Sequence, residues 1–278
     1  MHHRTVFFVS DQTGVTAETL GHSLLTQFDG LKFRGVTVPF INTLDKARET
    51  VRRINLTAEV EGARPIVFST MVHDEVREVI ATSDGLLMDF FDAFIGPLER
   101  ELGMRSTHAA GKAHGADTRS YGRRIEAMNY ALEHDDGAST RDYRRADVIL
   151  VGVSRSGKSP TCLYMALRYG LFTANYPLAE EEFERGRLPA VLEPHRERLF
   201  GLSIAPRRLQ QIRQERRPES TYASARQVSF ELRSAEALFN RYGIPHIDTT
   251  ELSIEEIAVK VLDRLGLLNR RSENDEGG

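Results

Sequence analysis

Within Ala146 to Ala166, ADVILVGVSRSGKSPTCLYMA, four residues fall at a spacing that suits one kind of chemistry. Gly152 and Gly157 permit backbone turns that aim successive N–H groups at a single anion. Lys158 brings a cation to terminal phosphates, and Ser159 offers a hydroxyl to Mg²⁺. The run Gly152, Val153, Ser154, Arg155, Ser156, Gly157, Lys158, Ser159 is therefore the candidate nucleotide-binding cradle, with Lys158 as a catalytic candidate. The apolar segment DVILVGV before it and the helical pattern after it are the strand and helix that such a loop requires. Pro160 follows at once. A first helical turn tolerates proline because its N–H groups lack intrahelical acceptors, yet ordinary phosphate loops use the amide after the hydroxyl residue as a donor. Arg155 either replaces that contact with a charge-assisted bond or faces solvent.

Three other stretches carry polar groups in suggestive places. YALEHDDGAST, Tyr130 to Thr140, ends a helix with Asp135 and Asp136, which could hold Mg²⁺ or accept a proton from an attacking hydroxyl, or form an ordinary turn. In VSDQTGVTAETLGHSLL, Val9 to Leu25, residues Thr13, Gly14 and Thr16 could present hydroxyls and amides to a phosphate at a helix N-terminus. This stretch resembles the flavodoxin phosphate loop in its T-G-x-T core, and helix capping by Thr16 is the competing reading. In APRRLQQIRQERRPESTYASAR, Arg213 and Arg217 are four residues apart on one helical face, as on a lid that clamps a phosphoryl group or on a solvated helix. Asp248 is read as a strand end, and Ser253 with Glu256 as a capping box. GIPHIDTTELSIEEIAVKVLDRLG as a whole resembles the closing unit of small P-loop kinases. No downstream strand ends in a Mg²⁺-holding Asp followed by a water-activating Glu, so transfer is expected rather than hydrolysis.

The elements that must position these groups alternate between short β-rich runs and helical periods, which predicts an α/β fold with a largely parallel sheet. Strands are expected at Thr5–Ser10, Gly35–Ile41, Pro65–Thr70, Asp147–Val153, Phe172–Tyr176, Leu199–Ile204 and Ile244–Asp248. Core-facing helix stripes are expected at Leu44, Ala47, Val51, Ile54 and Ala58, at Leu87, Phe91, Phe94, Ile95, Leu98 and Leu102, and along Ser253–Leu265. The chain divides into an N-terminal α/β domain over 1–104, a connector and helix with the acidic turn over 105–145, a P-loop kinase-like domain over 146–268, and a disordered tail over 269–278. MRSTHAAGKAHGADTRSYG, Met104 to Gly122, reads as the mobile part of that connector.

Composition narrows the partners. The 278 residues are 40% hydrophobic with a net charge of −3, so nothing suggests a bulk electrostatic grip on nucleic acid or on an anionic membrane. Cys162 is the only cysteine, which excludes an internal disulfide and is read as a small core residue in a reducing cytosol. With no leader-like segment and no long apolar run, the chain reads as soluble and cytoplasmic.

FFVSDQTGVTAETLGHSLLTQF, EHDDG, GVSRSGKSPTCLYMALRYGLFTANYPL and FGLSIAPRRLQQIRQERR, in that order, resemble the phosphoenolpyruvate synthase (pyruvate, water dikinase) regulatory proteins along nearly the whole chain. A sister family acts on pyruvate, phosphate dikinase, with a loop closer to S-R-T-S-K-T-P than to Gly157-Lys158-Ser159-Pro160-Thr161. The resemblance implies a bifunctional serine/threonine protein kinase and phosphorylase. It would transfer phosphate from ADP to a threonine of the dikinase, inactivating it, and remove that phosphate with inorganic phosphate, releasing pyrophosphate. Mg²⁺ is an expected cofactor with Ser159 as a ligand, and a homodimer is possible. The resemblance also moves Asp135 and Asp136 toward a catalytic role. The alternatives are the same chemistry on pyruvate, phosphate dikinase, an ATP-dependent small-metabolite kinase, and a non-catalytic nucleotide sensor.

Overall fold

The structure, a computed structural model, describes residues 3–107, 118–218 and 220–267. It divides into two compact units, Met1–Gly115 and Ala116–Gly278. Much of the connector read at Met104–Gly122, and the tail, lie outside the described residues.

In the first unit the elements are β1 (His3–Ser10), α1 (Val15–Leu25), β2 (Lys32–Val38), α2 (Leu44–Glu61), β3 (Ile66–Thr70), α3 (Asp74–Ala81), β4 (Leu86–Asp89) and α4 (Phe90–Leu102). All pairings are parallel, in the order β2-β1-β3-β4. Alternation along β1 sends Val6 and Phe8 to the α1 side with Ala17, Leu25 and Phe68. Phe7 and Val9 go to the other side with Ala47, Ile54, Val67, Val76 and Ile80. A sheet covered on both faces needs continuously apolar strands, which is what TVFFVS supplies.

The second unit contains α5 (Thr118–Glu133), β5 (Val148–Gly152), α6 (Lys158–Tyr169), β6 (Thr173–Pro177), α7 (Glu180–Arg185), β7 (Leu199–Ser203), α8 (Pro206–Arg216), α9 (Ala225–Tyr242), β8 (His246–Asp248) and α10 (Ile254–Arg264). Its sheet is again parallel, in the order β6-β5-β7-β8. Ile149 and Val151 pack toward Val228, Leu232 and Phe239 of α9, whereas Val148 and Leu150 pack toward Met165 of α6 and Val261 and Leu262 of α10. Alanines at 127, 131 and 166 form the contact of α5 with α6, where small side chains let the two backbones approach. The capping box at α10 forms as expected, with Glu256 N–H on Ser253 Oγ (3.2 Å) and Ser253 N–H on Glu256 Oε2 (2.8 Å). Asp248 accepts the Thr250 amide at 2.8 Å as β8 ends. Among the described residues no helix is long and apolar enough to cross a membrane.

Two expectations are corrected. Leu87 lies in strand β4 and not on a helix, and the helix after it is no core stripe: none of its residues is buried, and Phe94, Leu98 and Leu102 are exposed. β4 is the edge strand and α4 starts directly after it, with Phe90 stacked on Phe68 (ring centroids 5.5 Å apart). The capping role considered for Thr16 also fails. The N-cap of α1 is Gly14, in a left-handed conformation (φ 81°), with no side-chain cap.

Gly21 on α1 faces two rings. A Cβ there would lie 2.6 Å from both Phe68 and Phe8. Gly21→Ala gains roughly 1 kcal/mol of helix propensity, but overpacking costs about 1–3 kcal/mol. The expected outcome is a net loss of up to about 2 kcal/mol in denaturant unfolding, and a gain would show that the rings yield freely.

Candidate active site

β5 ends at a place where only glycine fits. A Cβ on Gly152 would sit 2.4 Å from the Leu202 carbonyl oxygen of neighbouring β7, so the first glycine of the loop is set by strand packing. The second, Gly157, is the left-handed N-cap of α6 (φ 94°). Between them the Val153 carbonyl accepts from Ser156 Oγ (3.0 Å) and from Lys158 Nζ (2.9 Å). Ser156 is buried, and its carbonyl accepts from Thr249 Oγ1 at 3.2 Å. Arg155 occupies a left-handed conformation (φ 76°) that costs a non-glycine residue about 1 kcal/mol or more, and it is exposed.

Pro160 is the third residue of α6. The first intrahelical bond runs from Thr161 N–H to Gly157 O (3.2 Å), so the proline removes no helix bond. Its exposed position leaves the local question to whatever the loop holds.

Lys158 is buried. Burial lowers its pKa to about 8, opposed by the charges of Asp136 and, less strongly, of Asp135, while Arg213 adds to the lowering. The acidic turn and the loop are thus brought into one electrostatic environment. The turn follows α5 as a short 3-10 segment, Asp135–Gly137, with Asp136 (φ 47°) and Gly137 (φ 70°) left-handed. Asn175, fully buried on β6 opposite Leu150, fixes the turn. Its Nδ2 donates to Asp135 Oδ1 (2.5 Å), its Oδ1 accepts the Asp136 amide (3.0 Å), and its own amide donates to the His134 carbonyl (3.2 Å). Asn175 was missed in the sequence, where the one available signal was an amide in the middle of the apolar run LFTANYPL.

The remaining candidates are placed differently. Ser154 Oγ accepts from Tyr222 Oη at 2.9 Å. Ser159 is partly exposed on the first turn of α6. Thr13 and Thr16 are exposed at the start of α1 in the first unit. Arg213 and Arg217 do not share a face: Arg213 is buried and ion-paired to Glu231, whereas Arg217 is exposed past the last residue of α8 and non-helical (φ −141°). The helix stops one residue short of the second arginine, so the two do not form a clamp on one helical face. Strand β7 ends in Ser203, whose hydroxyl donates to Glu236 (2.7 Å). Among the described residues no cluster of three or more His, Cys, Asp or Glu side chains is placed to hold a metal ion.

An ammonium has three donors, and among the described residues Lys158 donates to Val153 O alone. With the free amides that open α6, this suits a polyphosphate. At about pH 8.5 roughly three-quarters of Lys158 is neutral if its pKa is about 8. An anion placed against it raises that pKa, so binding must take up a proton. Titration calorimetry of a nucleoside diphosphate at about pH 8.5, in two buffers of different ionisation enthalpy, should show uptake of a large fraction of a proton per nucleotide. Binding without uptake would mean that the anion does not reach Lys158.

The site thus joins a glycine-bracketed loop to a buried lysine that feels the charges of two carboxylates. The family model described as kinase/pyrophosphorylase matches residues 6–262. A protein of Alkalilimnicola ehrlichii named as a phosphoenolpyruvate synthase regulatory protein is 55% identical, with 96% of this chain and 97% of that protein covered. Proteins of the same name from Alcanivorax borkumensis and Pseudomonas putida are each 53% identical, with 96% of this chain and 98% of each relative covered. With one family model running through both units and these relatives matching end to end, the chain belongs to the kinase/pyrophosphorylase family.

Proposed function

We propose that this chain is a bifunctional enzyme that phosphorylates a threonine of phosphoenolpyruvate synthase with ADP as donor, and removes that phosphate with inorganic phosphate as acceptor, releasing pyrophosphate. The observation that carries the reading is the placement of Asp135 and Asp136 beside the buried Lys158, with Asn175 fixing the turn. Phosphoryl transfer needs a cation to hold the phosphates and a base for the attacking hydroxyl, and this site offers both. The names of the relatives support the choice of protein target.

In the kinase direction the threonine hydroxyl gives its proton to a carboxylate of the acidic turn, and its oxygen attacks the β-phosphorus of ADP. The bond from that phosphorus to the bridging oxygen breaks, and AMP leaves. In the reverse chemistry an oxygen of inorganic phosphate attacks the phosphothreonine phosphorus, the bond to the threonine oxygen breaks, and the leaving oxygen takes a proton. Lys158 and the loop amides stabilise the charge on the transferring group in both directions. Mg²⁺, if used, would be held by the phosphates together with Ser159 and the acidic turn, and would neutralise phosphate charge.

The test is intact-mass analysis of phosphoenolpyruvate synthase after incubation with this protein and ADP, then with phosphate. A gain of one phosphoryl group with ADP and its loss with phosphate is the expected result. Modification of pyruvate, phosphate dikinase instead would redirect the target, and modification of neither would defeat the reading. Lys158→Ala should lower both rates by about 10²-fold or more, as loss of a main electrostatic stabiliser does. Near-normal rate in either direction would exclude a single shared site. Asp135→Asn and Asp136→Asn, assayed separately, should lower the two rates unequally, by roughly 10²–10⁴-fold for whichever carboxylate is the base. Wild-type phosphorylation by both variants would return the turn to a purely architectural role.

A further inference from the structure

The arginine that does not form a clamp does something else. Arg213 Nη2 donates to the Ser154 carbonyl (3.2 Å) and to Glu231 Oε2 (2.6 Å), and Nη1 donates to the Tyr222 carbonyl (3.0 Å). The guanidinium carbon lies 4.0 Å from the centre of the Tyr222 ring, and the hydroxyl of that same tyrosine bonds Ser154 Oγ. Ser154 is therefore gripped twice, by its carbonyl and by its side chain, from one side. Arg213 has no exposed surface, and the Glu231 side chain is 12% exposed. Removing such a pair from water carries a desolvation cost that a well-packed apolar pair of the same volume avoids. Stability alone does not account for it.

We propose that Arg213 is a positioning residue, with Glu231 and Tyr222 as its supports, and that it fixes the orientation of the Ser154–Arg155 peptide so that the cradle is shaped before any phosphate arrives. In a trans peptide the carbonyl and the following N–H point in opposite directions. Drawing the Ser154 oxygen toward α8 turns the Arg155 amide away from α8, to the side where the loop would hold an anion. The next residue is where the loop is strained, since Arg155 carries the left-handed φ of 76°. A conformation of that kind persists only where its surroundings over-determine it, and the double grip on Ser154 is the adjacent fixed point. The Val153 carbonyl is committed to Lys158 and Ser156, so the two successive carbonyls entering the loop are held from different elements.

The proposal deepens the nucleotide reading and rests on it for its affinity arm alone. Two variants remove the grip at different points. Arg213→Lys keeps a cation for Glu231 but loses the fork, and Tyr222→Phe removes only the hydroxyl on Ser154. Both are to be compared with the full-length protein by hydrogen exchange across residues 153–158 without ligand, by calorimetry with ADP, and by steady-state kinetics in both directions. Expected are faster exchange in the loop in both variants while β7 and α10 keep wild-type protection, a roughly tenfold or greater rise in the ADP dissociation constant for Arg213→Lys, a smaller rise for Tyr222→Phe, and an unchanged KM for the protein target. Should wild-type protein fail to bind ADP, the nucleotide reading falls while loop exchange still decides the positioning role. Wild-type loop exchange in both variants would overturn the proposal, and so would a uniform loss of protection through the second unit, which marks a merely structural residue.

Discussion

The loop and the acidic turn of the second unit meet around one buried ammonium. A cation removed from water is costly unless neighbouring groups compensate for the lost hydration, and the neighbours of Lys158 are supplied by different elements. The Val153 carbonyl comes from the end of β5, and the carboxylates come from the turn after α5. That turn is where it is because Asn175 on β6 reads it with both ends of its amide. The helix leading to it lies close to α6 because alanines line the contact. The compensation is incomplete, and the residual cost is visible in a lysine that holds its proton less tightly than in water. A site left in that state is disposed to take up negative charge.

The two units share a parallel sheet with the strand order 2-1-3-4 and a left-handed glycine at the start of the helix after the first strand, Gly14 in one and Gly157 in the other. The sequence shows no repeat, so the likeness is one of topology. Only the second unit adds the buried lysine and the acidic turn. Both carry exposed apolar side chains, among them Phe28, Phe94, Leu98 and Leu102 in the first and Leu132, Leu167 and Phe230 in the second.

What was legible in the chain follows from how local the cause is. The loop at Gly152–Ser159 and the capping box at Ser253 are specified within a few residues, so spacing alone reveals them. The alternation that buries both faces of a parallel sheet likewise shows as continuous apolar runs. β4 was hidden because LLMD passes into α4 with only Asp89, the N-cap of the helix, to mark the boundary, so its apolar positions merged with those of the helix. β2 begins at Lys32, three residues before the expected start, and it stops at Val38, short of Pro39 and of Phe40 with its φ of 56°. The contacts of Asn175 with Asp135 and of Arg213 with Ser154 were not legible, since they span 40 and 59 residues. A sequence shows an arginine's charge but not which way its helix is turned.

The single sulfur of the chain has a consequence of its own. Cys162, on the first turns of α6, is buried, donates to the Ala174 carbonyl at 3.3 Å, and has its pKa pushed up to about 12 by burial. Thiol oxidation and alkylation proceed through the thiolate and need access. This sulfur has neither, although it lies one helical turn along α6 from Lys158. Peroxide and disulfide exchange therefore find no reactive thiol in this chain, whose one cysteine is this one.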